Sequence, residues 1–183
     1  MTEPAQPPSA RREELLGLAY AHVLRHGLSG MSLRPLAEAI GSSPRVLIYL
    51  FGSKDGLVRA LLGRARADEL AVLPDVGHGP VAVGRIWDWL SAPEHRALLT
   101  LWVESYARSL VEPDGPWAGF AEATVRDWLA VLGGATGSLA VLRGALLDLL
   151  ATGDVERTTA AVRAHVRTLT AAADDREADG SRP

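Results

Sequence analysis

Apolar positions recur every three to four residues along nearly the whole chain, the repeat of helices that each bury one face. From Ser9 to about His26 the stripe is Leu15, Leu18, Ala19, Val23 and Leu24, with Glu13 and Glu14 near the positive end of the helix dipole. Gly27 closes this helix, and Gly27-Leu28-Ser29-Gly30 is a connector. Leu33, Leu36, Ala37 and Ile40 form the next stripe. Ser32 is placed to cap it, and Pro35 lies early enough that its missing N–H does no harm. Gly41 ends it, as a residue free to take positive φ. Ser43-Pro44 restarts the helix as N-cap and first helical residue, and Val46, Leu47, Leu50 and Phe51 give Pro44–Phe51 its apolar face. Two short helices, a small Ala37 where they must approach and a glycine at the corner predict a helix-turn-helix.

After Gly52, Ser53 is placed to cap a fourth helix carrying Leu57, Ala60, Leu61 and Leu70. Residues 74–80, PDVGHGP, read as a linker. Five more helices follow, over about Val81–Leu90, Glu94–Val111, Trp117–Leu132, Thr136–Ala151 and Val155–Ala172. Either Asp114 or Gly115 caps the seventh, and Asp154 the ninth. No alternation of apolar and polar residues persists, so an all-α fold of about nine helices is expected. The predicted organisation is a disordered arm at 1–8, a helix-turn-helix domain at 9–56, a helical domain at 57–173 and a frayed tail at 174–183.

Composition narrows the function. Apolar residues make up 48% of the 183, enough for a core, yet none of the runs reaches the roughly 18 needed to span a membrane. The first residues lack the apolar core of a signal peptide, and cysteine is absent. A cytoplasmic protein is therefore expected. A net charge of −3 argues against a nucleic-acid binder until its distribution is considered. Residues 1–66 hold nine Arg and Lys against five Asp and Glu, a balance of +4; residues 67–183 hold ten against seventeen, a balance of −7. Either this is the ordinary fluctuation of a helical protein, or a basic head is built to meet phosphate on an acidic body that repels it. The five histidines are scattered, and no carboxylate pair, Ser/His/Asp set or metal spacing stands out. No metal, cofactor or enzymatic activity is expected.

The order of a long helix, a Gly-rich connector and a helix-turn-helix resembles the TetR family of bacterial transcriptional regulators. So does the segment RPLAEAIGSSPRVLIYLFGSKDGLVRALL, with Leu36-Ala37 and Gly41, then Leu47-Ile48-Tyr49-Leu50-Phe51 and Ser53-Lys54. The last helices, LRGALLDLLATGDVERTTAAV, are similar to the family's final pair. Two positions depart from the pattern: Ile48 replaces the first Tyr of its usual pair, and Leu50 its usual His, both habitual phosphate contacts. The resemblance implies a C-terminal effector-binding and dimerisation domain. It also implies a ligand-responsive regulator, most simply a repressor released from a palindromic operator by a small molecule. A helical protein–protein interaction module without DNA binding is the alternative from another class, and a small helical enzyme a third.

The candidate DNA-contacting residues are Arg34, Ser42, Ser43, Arg45, Val46, Tyr49 and Lys54. The resemblance places Arg34 and Lys54 at backbone or base contacts. Ser42 and Ser43 stand at the recognition helix N-terminus, where N–H groups and hydroxyls bind phosphate. Arg45 either reads a base edge or is a surface arginine. Tyr49 falls outside the apolar stripe, so its hydroxyl is free for a phosphate. Trp87, Trp102, Glu104, Tyr106, Trp117, Phe120 and Trp128 are the candidates for the effector cavity that the resemblance implies; aromatics at helical spacing serve equally as core. Leu139, Leu142, Ala145, Leu146, Leu149, Val162, Val166 and Leu169 span wide apolar faces of the last two helices. These pack either within the chain or in a two-fold four-helix bundle, the homodimer reading being preferred. The expected partners are thus double-stranded DNA, a second copy of the chain and an unidentified small-molecule effector, with no membrane.

Overall fold

A computed structural model describes residues 8–71 and 76–180. Residues 1–7 of the expected arm, the linker residues Pro74 and Asp75, and 181–183 of the tail lie outside the described residues. Among the described residues the fold is helical, without a strand: α1 Pro8–His26, α2 Leu33–Ala39, α3 Pro44–Phe51, α4 Lys54–Leu70, α5 Gly79–Ser91, α6 Arg96–Val111, α7 Phe120–Val131, α8 Thr136–Thr152 and α9 Val155–Gly180.

Local chemistry explains most boundaries. The Ser43 hydroxyl accepts the Val46 N–H at 3.3 Å, and that of Ser53 accepts the Gly56 N–H at 2.9 Å. These bonds satisfy amides that the first turns of α3 and α4 leave without partners. Ser32 makes no such bond, so α2 starts without the expected cap. Gly41 and Gly52 take φ of +65° and +78°, ending α2 and α3. The seventh helix starts at Phe120 rather than Trp117, because Gly119 adopts φ +72° and Trp117–Gly119 form turns. The sixth is preceded by a 3₁₀ turn at Pro93–His95. Residues 174–180, expected to fray, continue α9.

The chain divides into two compact units. One comprises the residues up to Asp68 with Thr100–Ala121, the other Glu69–Leu99 with Glu122 onward. In the first, α1, α2 and α3 pack on one another around Leu15, Ala19, Val23, Leu36, Leu47, Leu57 and Leu61, all buried. Each such Leu contributes about 1.5–3 kcal/mol by leaving water. Of the expected α1 stripe, Leu18 is exposed and Leu24 half-buried; Leu16 and Tyr20 are buried in addition to Leu15, Ala19 and Val23.

In the second unit α5 lies against α9 and α8, which also pair with each other. The Trp87 indole N–H donates to Thr159 Oγ1 at 2.9 Å, joining α5 to α9. Leu139, Leu142, Ala145, Leu146, Leu149 and Val162, expected at a dimer interface, are buried within the single chain. Val166 and Leu169 are half-buried. The wide apolar face is core because α8 and α9 must cover each other and α5.

An ion cluster closes the α8–α9 corner. The Arg157 guanidinium forms two bonds of 2.6 Å to the Asp148 carboxylate, and the Asp154 carboxylate accepts the Arg157 backbone N–H at 3.0 Å. Hydrogen bonding to Arg157 holds the Asp148 carboxyl below its ordinary value. A carboxylate so depressed adds stability above its ordinary pKa and loses it as pH falls through the folded value. We expect Arg157→Ala to melt below wild type at neutral pH, in thermal scans followed by circular dichroism. The gap should close as the pH falls below the ordinary carboxylate range and through the depressed value of Asp148. A gap independent of pH would show that the pair contributes no stability.

Candidate nucleic-acid interface

At 100° per residue, the outward side of α3 runs in the order Pro44, Ile48, Arg45, Tyr49, Val46, while Leu47 and Phe51 point inward. Burial agrees: Leu47 and Phe51 are buried, and Tyr49, Ile48 and Val46 are 78%, 40% and 36% exposed. Val46, expected on the apolar inner face, therefore joins the outer one. Arg45 is exposed at the centre of that surface. Arg34 on α2 and Lys54, the first residue of α4, are also exposed. Among the described residues these three cations enter no ion pair, whereas Arg11, Arg12 and Arg64 are paired with Glu14, Glu13 and Asp68. Free guanidinium and ammonium groups beside an exposed helix suit phosphate and base edges.

Ser42 is not on this surface. Its hydroxyl is buried without a hydrogen-bond partner, and its N–H donates to the Ala37 carbonyl at 2.8 Å, so both polar groups turn into the α2–α3 corner. Ser43 is half-buried and occupied as a cap.

Two residues outside the expected DNA-contact set position α3, α4 and the α1–α2 connector. A side chain at Gly56 would overlap the Phe51 carbonyl oxygen, so only glycine lets the start of α4 pass this close to the end of α3. Glu104 of α6 accepts the Leu28 N–H at 3.0 Å and the Ser29 hydroxyl at 2.5 Å, fastening the α1–α2 connector. Glu104, expected among the effector contacts, has its carboxylate engaged with the connector in this structure. Proximity in sequence could not reveal a pairing across 76 residues. The Arg12 guanidinium lies 4.9 Å from the centre of the Phe51 ring, a cation–π contact between α1 and the inner side of α3.

The remaining effector candidates are divided between the two units. Trp102, Tyr106, Trp117 and Phe120 belong to the first, where the Trp102 and Tyr106 rings lie 5.2 Å apart; Trp87 and Trp128 belong to the second. The Trp87 and Trp128 indoles are both buried, and Trp128 donates to the buried Glu69 carboxylate at 2.6 Å. A groove of about 110 Å³ in that unit is lined by Leu90, Pro93, Arg96, Leu99, Leu149 and Leu150 among others, and by none of the seven candidates. Among the described residues no group of three or more His, Cys, Asp or Glu could hold a metal. No single described helix is long and apolar enough to cross a membrane. One pair, Phe120–Val131 with Thr136–Thr152, has the composition but is bent by 120°.

Residues 15–61, from α1 into α4, match the family model described as bacterial regulatory proteins, tetR family. Over these residues the chain is similar to the N-terminal domain of that family. Solved structures extend the likeness in fold beyond it. A transcriptional regulator from Rhodococcus sp. Rha1 is 22% identical with a TM-score of 0.70, covering 86% of this chain and 95% of its own. A TetR transcription regulator from Haloarcula marismortui ATCC 43049 is 17% identical with a TM-score of 0.65, covering 89% and 98%. The multidrug binding protein EbrR, solved with imidazole, is 25% identical with a TM-score of 0.61, covering 84% and 88%. No curated protein matches the chain. The outward side of α3 is thus the exposed side of the second helix of the helix-turn-helix, inside the segment that matches the tetR family model.

Two glycines of α4 provide a test of the packing. Gly63→Ala meets nothing within 4 Å and should stabilise by about 0.5–1 kcal/mol. Gly56→Ala should destabilise, reversing the sign, and equal stabilisation in denaturant titrations would refute the close approach. Glu104→Ala leaves the Leu28 N–H without its acceptor and should cost about 1–3 kcal/mol in the same titrations.

Proposed function

We propose that the chain is a homodimeric repressor that binds a palindromic operator through α3 of each subunit and leaves it when a small molecule binds. It acts in the cytoplasm, where the operator lies. The observation that carries this reading is the outward row of Arg45 and Tyr49 on α3, with Arg34 and Lys54 solvated nearby, in a domain matched to the TetR family. Arg45 reads a base edge, Arg34 and Lys54 neutralise phosphates, and Tyr49 donates its hydroxyl to the backbone. Val46 completes this surface. The Ser43 amide region adds the positive end of a helix dipole.

Dimerisation follows from what α8 leaves uncovered. Gly137, Ala140, Gly144, Leu147 and Ala151 are exposed at alternating spacings of three and four, a single seam along the helix. Leu147 is 50% exposed at its middle, and the small residues around it permit close approach. Ala160, Ala164 and Ala171 are exposed along α9. A two-fold bundle through these faces gives the dimer two recognition helices, one for each half of a palindromic site.

The effector reading draws support from EbrR, a structural neighbour described as a multidrug binding protein. In this chain α6 is the suitable lever. It carries the Trp102–Tyr106 pair on one side and, about 200° around from Trp102, the Glu104 carboxylate that fastens the connector. A ligand against the aromatic pair that prefers one position of α6 shifts the population through that preference alone. Trp117 and Phe120 are buried in the same unit.

Fluorescence anisotropy with the duplex flanking the chain's own gene tests the reading. Binding should weaken linearly in log–log with salt, and Lys54→Ala should lower the slope by about one for each phosphate it ceases to neutralise. Arg45→Ala should cost about 1–3 kcal/mol and relax the base preference at one position. Leu147→Lys should yield monomers in analytical ultracentrifugation and weaken operator binding. Absence of binding at low salt refutes the proposal, and a Leu147→Lys dimer refutes the assigned seam.

A further inference from the structure

The outward side of α3 is more apolar than phosphate binding requires. Nine large hydrophobic residues are exposed among the described residues, and three of them, Val46, Ile48 and Tyr49, share this eight-residue helix. Such a cluster is costly in water unless a partner covers it. The helix carries no acidic residue, and Arg45 projects from the middle of the cluster. The solvated Arg34 and Lys54 accompany it in the same unit. Apolar side chains under a cationic canopy match a major groove, whose only apolar features are the thymine C5 methyl groups. Around the helix, Ile48 stands about 60° to one side of Arg45 and Val46 about 100° to the other.

We propose that Ile48 and Val46 read thymine methyl groups on either side of the base pair contacted by Arg45. The favoured half-site then places a G·C pair, for the guanidinium, between T·A pairs whose methyls pack on the two aliphatic side chains. This rests on the DNA-binding reading above and adds the chemistry of its specificity. Ile48, where the family pattern has a phosphate-contacting Tyr, becomes a base reader in place of a phosphate anchor.

The test uses the full chain. A best site is first selected from a random duplex library, and its thymines are then replaced one at a time by deoxyuridine, which pairs identically but lacks the methyl. At one or two positions per half-site deoxyuridine should weaken binding about fourfold per methyl, the equivalent of about 0.8 kcal/mol for one buried carbon. Ile48→Ala should abolish the thymine–deoxyuridine difference at one such position, and Val46→Ala at another. Because both residues are exposed, circular dichroism of the variants should match wild type. Two results overturn the proposal: a selected site bound equally well with deoxyuridine throughout, or a methyl preference that survives both alanine variants. If no duplex is retained at low salt, the DNA-binding reading fails and this inference falls with it.

Discussion

An eight-residue helix has too few internal hydrogen bonds to persist alone in water, so α3 exists only because its inner side is packed. Leu47 and Phe51 supply that packing, and their burial fixes the rotation of the helix about its own axis. Once they point inward, Arg45 and Tyr49 must point outward, with Ile48 and Val46 beside them. The composition of the exposed side is thus set by the same helical repeat that builds the core. Gly56 refines the position by admitting α4 against the end of α3, and Arg12 covers the Phe51 ring from α1. The outward side of α3 is held by elements that are shared with the core.

The same logic makes α6 the element to which the proposed effector control is assigned. The connector between α1 and α2 is bounded by Gly27 and Gly30, both at positive φ, and Leu28 is its buried side chain. Glu104 removes the freedom that remains with two hydrogen bonds to a charged acceptor, the strong kind. Under the proposed function, a helix that holds the connector on one side and an aromatic pair on the other is placed to couple an effector to the DNA-reading head. In the second unit, α8 divides its circumference in the same manner. One side, with Leu142 and Leu146, is core, and the other, from Gly137 to Ala151, is small and exposed.

The head is largely legible in the sequence because its signals are local. Gly41, Ser43-Pro44 and Gly52 punctuate short helices through their own backbone preferences, and α3 has the bounds its spacing predicts. What the sequence hides depends on distance or on which side of a helix is covered. Ser42 and Ser43 are alike as residues, yet one hydroxyl caps α3 and the other is buried in the corner. Glu104 reads as one of many acids until the fold brings it to Leu28. Leu139 and Leu146 signal burial equally well whether the cover is α9 of the same chain or a second copy, and periodicity cannot distinguish the two. The start of α7 lies later than its spacing predicts because the conformation of Gly119, unlike that of a proline, is not fixed by its chemistry.

Contact between DNA and the outward side of α3 is tested most directly by replacing Tyr49, the most exposed large residue of that helix, with the photoreactive p-benzoylphenylalanine. Leu110, 66% exposed in the same unit, is the control. Irradiation of the full chain with the duplex flanking its own gene should cross-link position 49 and leave position 110 unmodified, with the cross-link abolished by excess unlabelled duplex. Equal cross-linking from both positions, or none from 49 while the duplex is bound, would contradict DNA contact through this side of the helix.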